Sequence, residues 1–118
     1  MDEEFASSPA SSDQVIVFQS ATFRAWFKAL RDRQARLRIA DRLERLASGN
    51  AGDSKPVGDG VQELRLHFGP GYRIYYLWRD GILIVLLNGG DKSSQVRDIA
   101  KAKQLAKDAD DGIEGLPV

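Results

Sequence analysis

Residues 61–79 read Val-Gln-Glu-Leu-Arg-Leu-His-Phe-Gly-Pro-Gly-Tyr-Arg-Ile-Tyr-Tyr-Leu-Trp-Arg, two alternating runs around a Gly-Pro-Gly turn. Side chains in a strand alternate between its faces. Glu63, Arg65 and His67 therefore share one side of a predicted hairpin, and Arg73, Tyr75, Leu77 and Arg79 share the matching side of its second strand. Arginines facing one another across a ladder repel. Arg65 and Arg73 thus call for an anionic partner or a nearby carboxylate, a part that Glu63 can fill. His67 is the single histidine of the chain and the one side chain whose ordinary pKa lies near neutrality, which makes it the candidate general acid or base. Tyr75 is a candidate to bond a phosphate or stack on a base.

A second segment, Asn88-Gly89-Gly90-Asp91-Lys92-Ser93-Ser94, runs from a strand through glycines into a helix start. Glycines let backbone N–H groups approach a ligand, and a helix N-terminus favours an anion. The spacing is not that of a Walker A loop. Because the segment follows the strand beside the hairpin, Arg65, Arg73 and Lys92 are expected to converge on one phosphate. The expected catalytic set is Arg73, Arg65, Lys92 and His67, and the expected substrate contacts are Tyr75, Glu63, Lys55 and Ser93.

The elements that must hold these residues follow from periodicity. Val15–Phe18 is a short β-branched strand, and Ser20 is the expected N-cap of the helix after it. Phe23, Trp26, Phe27 and Leu30 form a helical stripe that packs a core. A second helix is expected over Arg33–Ala47, burying Ile39, Ala40, Leu43, Leu46 and Ala47 and turning Arg38, Arg42 and Arg45 to another face. That arginine ridge either tracks phosphates or is a solvated face, with Asp41 and Arg45 as an ordinary i,i+4 pair. A loop runs through Pro56, Gly58 and Gly60. Strands then span Val61–Phe68, Tyr72–Arg79 and Ile82–Leu87, with Asp80-Gly81 as a hairpin turn and Asn88-Gly89-Gly90 as a breaker. A last helix over Ser93–Ala106 lines up Val96, Ile99, Ala102 and Ala106. The expected fold is α+β in the order β-α-α-β-β-β-α, with two N-terminal helices and a C-terminal helix on a small antiparallel sheet.

The 118 residues suit one domain, expected over 14–107 between acidic tails at 1–13 and 108–118. The absence of cysteine excludes disulfides, thiolate metal sites and cysteine nucleophiles. The longest apolar run, Ile82–Leu87, is too short to span a membrane, and the acidic N-terminus is unlike a secretory signal, so a cytoplasmic protein is expected. Net charge is zero, yet eight of the 17 acids lie in the two tails and every one of the 17 basic residues lies between them. The body therefore carries a charge of about +8, which suggests a polyanionic partner such as nucleic acid, or else a solvated surface between charged tails.

The stretches Glu63–Tyr76 and Leu86–Ser93, with the aromatic helix Thr22–Leu30, resemble the HigB-like addiction-module killer branch of the RelE/ParE toxin superfamily. The resemblance spans Val15 to Ala106. It implies the toxin of a type II toxin–antitoxin system, a metal- and cofactor-independent endoribonuclease that cuts messenger RNA on the ribosome, inhibits translation and arrests growth. In such enzymes the RNA 2′-hydroxyl attacks the adjacent phosphate and leaves a 2′,3′-cyclic phosphate. By the same resemblance Arg73 stabilises the transition state, Arg65 holds the RNA backbone and Lys92 faces the scissile phosphate or leaving group. Two departures stand out: Glu63 replaces a lysine found in some members, and the last helix begins Gln95-Val96-Arg97 without tyrosine or histidine. The general base is thus open between Glu63 and His67, or positioning and charge stabilisation carry most of the rate without one. The implied partner is a helix-turn-helix antitoxin, through which alone operator DNA is bound. The superfamily leaves two other functions open, inhibition of DNA gyrase in the manner of ParE and a non-catalytic corepressor.

Overall fold

The structure, a computed structural model, describes residues 15–111 and 116–117. The expected acidic tail at 1–13 lies outside the described residues. In chain order the elements are β1 (Ile16–Gln19), α1 (Ala21–Ala29), α2 (Arg33–Ala47), β2 (Ser54–Gly58), β3 (Val61–Arg65), β4 (Arg73–Arg79), β5 (Leu83–Gly90), a 3₁₀ turn (Lys92–Ser94), α3 (Gln95–Asp111) and β6 (Leu116–Pro117). The sheet order is β2-β3-β4-β5-β1-β6.

The α+β class and the three helices are as expected, but the sheet is mixed. β1 runs parallel to β5, pairing Ile16 with Leu83 through Gln19 with Leu86. Sequence pattern cannot register strands so far apart in the chain. A further departure is β2, expected as loop, which pairs antiparallel with β3. Its hairpin turns on Asp59-Gly60, both with positive φ, just as Asp80-Gly81 turns β4 into β5. Both edge strands carry a proline, Pro56 in β2 and Pro117 in β6. β6 and the extension of α3 to Asp111 occupy part of the segment expected as an acidic tail at 108–118.

In the hairpin β3–β4 Glu63 lies opposite Tyr75 and Arg65 opposite Arg73, a register two residues off the one a tight turn between Phe68 and Tyr72 would set. Regular pairing stops at Arg65 and resumes at Arg73, and the turn residues Gly69 and Gly71 take positive φ. One face of the sheet packs Leu64, Ile74, Tyr76, Ile84 and Leu86 against Phe23 of α1 and Ala35, Ile39 and Leu46 of α2. The other face packs Val61, Tyr75, Leu77 and Leu87 against Ala102 and Ala106 of α3. β5 is thus covered on both sides, as its unbroken apolar run requires.

Local signals set the helices. Ser20 caps α1, accepting a hydrogen bond from the Phe23 amide at 2.9 Å, and Asp32 caps α2 through the amides of Gln34 and Ala35. The expected buried faces need two corrections: Ala40 is exposed, and Val96 is 86% exposed. Gln95 points its amide inward to Glu63, and one residue further along a helix rotates by about 100°, which turns Val96 out. The arginine ridge of α2 has contacts of its own. Arg42 donates to the carbonyls of Arg65 (2.7 Å) and Ala51 (3.2 Å), Arg45 pairs with Asp41 at 3.0 Å, and Arg38 sits against the Phe68 ring.

Candidate functional site

A cleft of about 530 Å³ opens at the end of the β3–β4 hairpin. Arg65, His67, Arg73 and Lys92 line it, together with the Gly69-Pro70-Gly71 turn. The four residues expected to carry chemistry are therefore brought together. The hairpin register places Arg65 and Arg73, His67 follows β3, and Lys92 opens the 3₁₀ turn after β5. The turn and Lys92 are in contact, since the Lys92 amide donates to the Pro70 carbonyl at 3.4 Å.

Arg73 is the most unusual of the four. It is only 8% exposed, and its Nε is buried without a hydrogen-bond partner among the described residues. Buried polar groups are normally satisfied, and a buried cation is costly unless an anion answers it. Its cross-strand neighbour is another arginine, and the anion near it is Glu63, whose hydrogen bonds come from other residues. Arg65 is partly exposed and has a partner, because its Nε donates to Glu63 Oε1 at 3.1 Å.

Glu63 is fully buried and is the hub behind the cleft. Its Oε2 accepts from the Tyr75 hydroxyl at 3.0 Å and from Gln95 Nε2 at 2.8 Å. Burial alone would raise its pKa, but the hydrogen bonds from Gln95, Arg65 and Tyr75, with the nearby charge of Arg73, outweigh burial and hold it below the usual carboxylate value. Tyr75 is also fully buried, and burial with the Glu63 charge beside it pushes its phenol far up. Neither side chain reaches solvent, so the two expected as substrate contacts stand behind the cleft and set its wall. Glu63 links β3, β4 and the first turn of α3 through one carboxylate.

His67 is exposed, and its Nε2 meets the carboxylate of Asp53. The histidine is the chief cause that holds Asp53 below the usual range. Nδ1 makes no hydrogen bond among the described residues. Lys55 is exposed on β2, opposite Glu63 across the ladder. Ser93 is exposed and donates to Asp91 from both its amide (2.8 Å) and its hydroxyl (2.5 Å), bonds that hold the Asp91 carboxyl below its usual value. Both lie apart from the cation cleft, and Ser93 lines a separate depression with Lys92 and Arg97.

The glycines before Lys92 act differently from the expectation. Asn88-Gly89-Gly90 does not break β5 but completes it. A Cβ on Gly89 would clash with the Trp26 ring, and one on Gly90 with the Asp98 carboxylate, itself bonded by the Ser94 hydroxyl. These positions are small because α1 and α3 press on both faces of the strand.

Sequence reasoning missed Asp53, Gln95 and Asp98. Asp53 and Gln95 meet His67 and Glu63 through tertiary packing that no local motif announces, whereas Asp98 takes the Ser94 hydroxyl four residues before it. Among the described residues no group of three histidine, cysteine or acidic side chains is placed to hold a metal ion, and no helix is long and apolar enough to cross a membrane.

Comparison with known proteins gives two findings. Residues 25–109 match the model of a family described as phage-derived protein Gp49-like, a span that contains every residue around the cleft. An uncharacterized protein of Haemophilus influenzae is 47% identical over 87 residues, which cover 74% of this chain and 88% of that one.

Proposed function

The chain belongs to the Gp49-like family of phage-derived proteins, a RelE-like toxin family of toxin–antitoxin systems, and from that premise we propose that it is a cytoplasmic toxin that cuts messenger RNA on the ribosome. Within that family setting it stands on the HigB-like side of the RelE/ParE superfamily. The family implies an antitoxin partner, and a helix-turn-helix antitoxin is the kind proposed.

The observation that carries the reading is Arg73, a nearly buried cation with an unanswered Nε, facing Arg65 across the ladder and sharing a cleft with Lys92. Three cations converging on one cleft fit a phosphodiester, whose charge grows as it is attacked. Arg65 and Lys92 hold the non-bridging oxygens, and Arg73 meets the charge that develops on the phosphorane. The 2′-oxygen forms the new bond to phosphorus while the bond to the 5′-oxygen breaks, giving a 2′,3′-cyclic phosphate. His67 takes the 2′-hydroxyl proton at Nδ1, with Asp53 steadying the imidazolium from Nε2. The leaving 5′-oxygen takes a proton from Lys92 or water. Glu63 is too enclosed to reach the 2′-hydroxyl and acts by orienting Arg65.

The test is primer extension on transcripts from cells expressing wild type or Arg73→Ala. Removal of one preorganised donor to developing charge costs about 10²–10³ in rate. New ends within translated regions, lost in a folded Arg73→Ala protein, are the expected result. Growth arrest with intact transcripts would refute the nuclease and move the weight to gyrase inhibition. Normal growth would move it to a corepressor.

A further inference from the structure

A second groove, of about 500 Å³, adjoins the cation cleft. One wall is α2, presenting Leu37, Arg38, Asp41 and Arg42; the other is Leu66, His67 and Phe68. These last three also line the cation cleft, so the two depressions meet across a saddle formed by His67 and Phe68.

The chemistry of this groove is specific. The Arg38 guanidinium lies 4.7 Å from the centroid of the half-buried Phe68 ring, and Arg38 itself is exposed. A planar cation resting on an aromatic ring offers its second face to another flat group. Beside it Leu37 is 58% exposed on the same helix, an apolar side chain with no core to fill. The only acid in the groove, Asp41, is engaged by Arg45. Arg42 is fixed to two backbone carbonyls and makes a rigid floor. Flat, cationic and partly apolar surfaces of this kind bind single-stranded RNA by stacking its bases on aromatic rings and guanidinium planes.

The geometry points to a nucleobase subsite: the nucleotide next to the scissile phosphate crosses the His67–Phe68 saddle and stacks its base on Arg38 and Leu37. The inference rests on the reading of the cation cleft as an RNA-phosphate site. It makes Arg38 and Leu37 specificity-determining residues, remote from the bonds that form and break. RNA is favoured over a protein partner because the groove is continuous with the phosphate cleft and its stacking plane is already assembled.

The experiment maps cleavage ends in cells expressing wild type, the exposed double variant Leu37→Ser/Arg38→Glu, or Arg38→Lys, each at equal protein level and equal melting temperature, with and without antitoxin. In the double variant cleavage persists but falls about tenfold, and the nucleotide preference changes at one position flanking the cut. Arg38→Lys keeps the charge and loses the plane, so the same preference changes with a smaller loss of cleavage. Wild-type maps from both variants would overturn the subsite. So would a double variant whose only defect is escape from antitoxin neutralisation, since the groove would then be a protein contact. Intact transcripts in the wild-type culture would instead overturn the RNA reading of the cation cleft, and the subsite with it.

Discussion

Replacing Glu63 by glutamine keeps the size of the side chain and removes its charge. The buried carboxylate accepts three hydrogen bonds, from Arg65, Tyr75 and Gln95. A glutamine has one acceptor oxygen, so its NH₂ must face at least one of these donors. Hydrogen bonds to a charged group contribute roughly 1.5–3 kcal/mol each, and removing one partner of a buried ion pair costs about 3–5 kcal/mol. With one acceptor retained, about 3 kcal/mol is expected for Glu63→Gln, or roughly 12 °C in Tm at about 4 °C per kcal/mol for a domain of this size. The pH dependence fixes the cause. Glu63 titrates below its unfolded value of about 4.3, so its contribution is complete above that pH and is lost as pH falls through the folded pKa. Thermal melts at pH 7 and pH 3 should therefore show a wide gap between wild type and variant that narrows in acid. A variant that melts within 2 °C of wild type at pH 7, by the same roughly 4 °C per kcal/mol, would refute the claim that this carboxylate holds the wall of the cleft. A gap unchanged at pH 3 would refute its electrostatic origin.

Three further outcomes are expected. Gly90→Ala drives a Cβ into the Asp98 carboxylate and should cost about 2–3 kcal/mol in urea unfolding, whereas Gly60→Ala, with open space around it, should cost only the roughly 1 kcal/mol of its left-handed backbone. Arg42→Ala should cost about 2 kcal/mol because two carbonyls lose their donor, while Arg45→Ala, which loses only an exposed i,i+4 pair, should fall under about 0.5 kcal/mol in the same assay. RNA affinity should fall with salt at a slope near −2 in log–log form for three phosphate-binding cations, and Lys92→Ala should flatten it by about 0.7; an affinity independent of salt would count against the cation cleft.

The parts of the fold legible in the sequence are those with a local physical signal. The alternation on either side of the Gly-Pro-Gly turn puts Arg65 and Arg73 on one face, and Ser20 and the aromatic stripe after it fix where α1 starts and which way it faces. β2 escaped because Lys-Pro-Val-Gly has loop composition, although the Asp59-Gly60 turn that pairs it with β3 has the same chemistry as Asp80-Gly81, which was read. The site was half legible. Alternation put Glu63 and Tyr75 on the arginine face but carries no information that α3 closes over them, because that depends on where a helix twenty or more residues further along docks. For the same reason Gly89 and Gly90 look like a ligand loop in sequence and act as a packing surface in space. The pairing of β1 with β5 is set by the assembled core, and no short-range pattern encodes it.

The prolines at the two sheet edges constrain how a partner engages the protein. An open edge strand invites another chain to add itself to the ladder, in regulated complexes and in aggregates alike. Pro56 and Pro117 each remove a backbone donor from the strand that would serve as template. Strand addition is thereby weakened at both ends of the sheet, which favours partners that read the side chains on its faces and in its grooves over partners that extend the ladder.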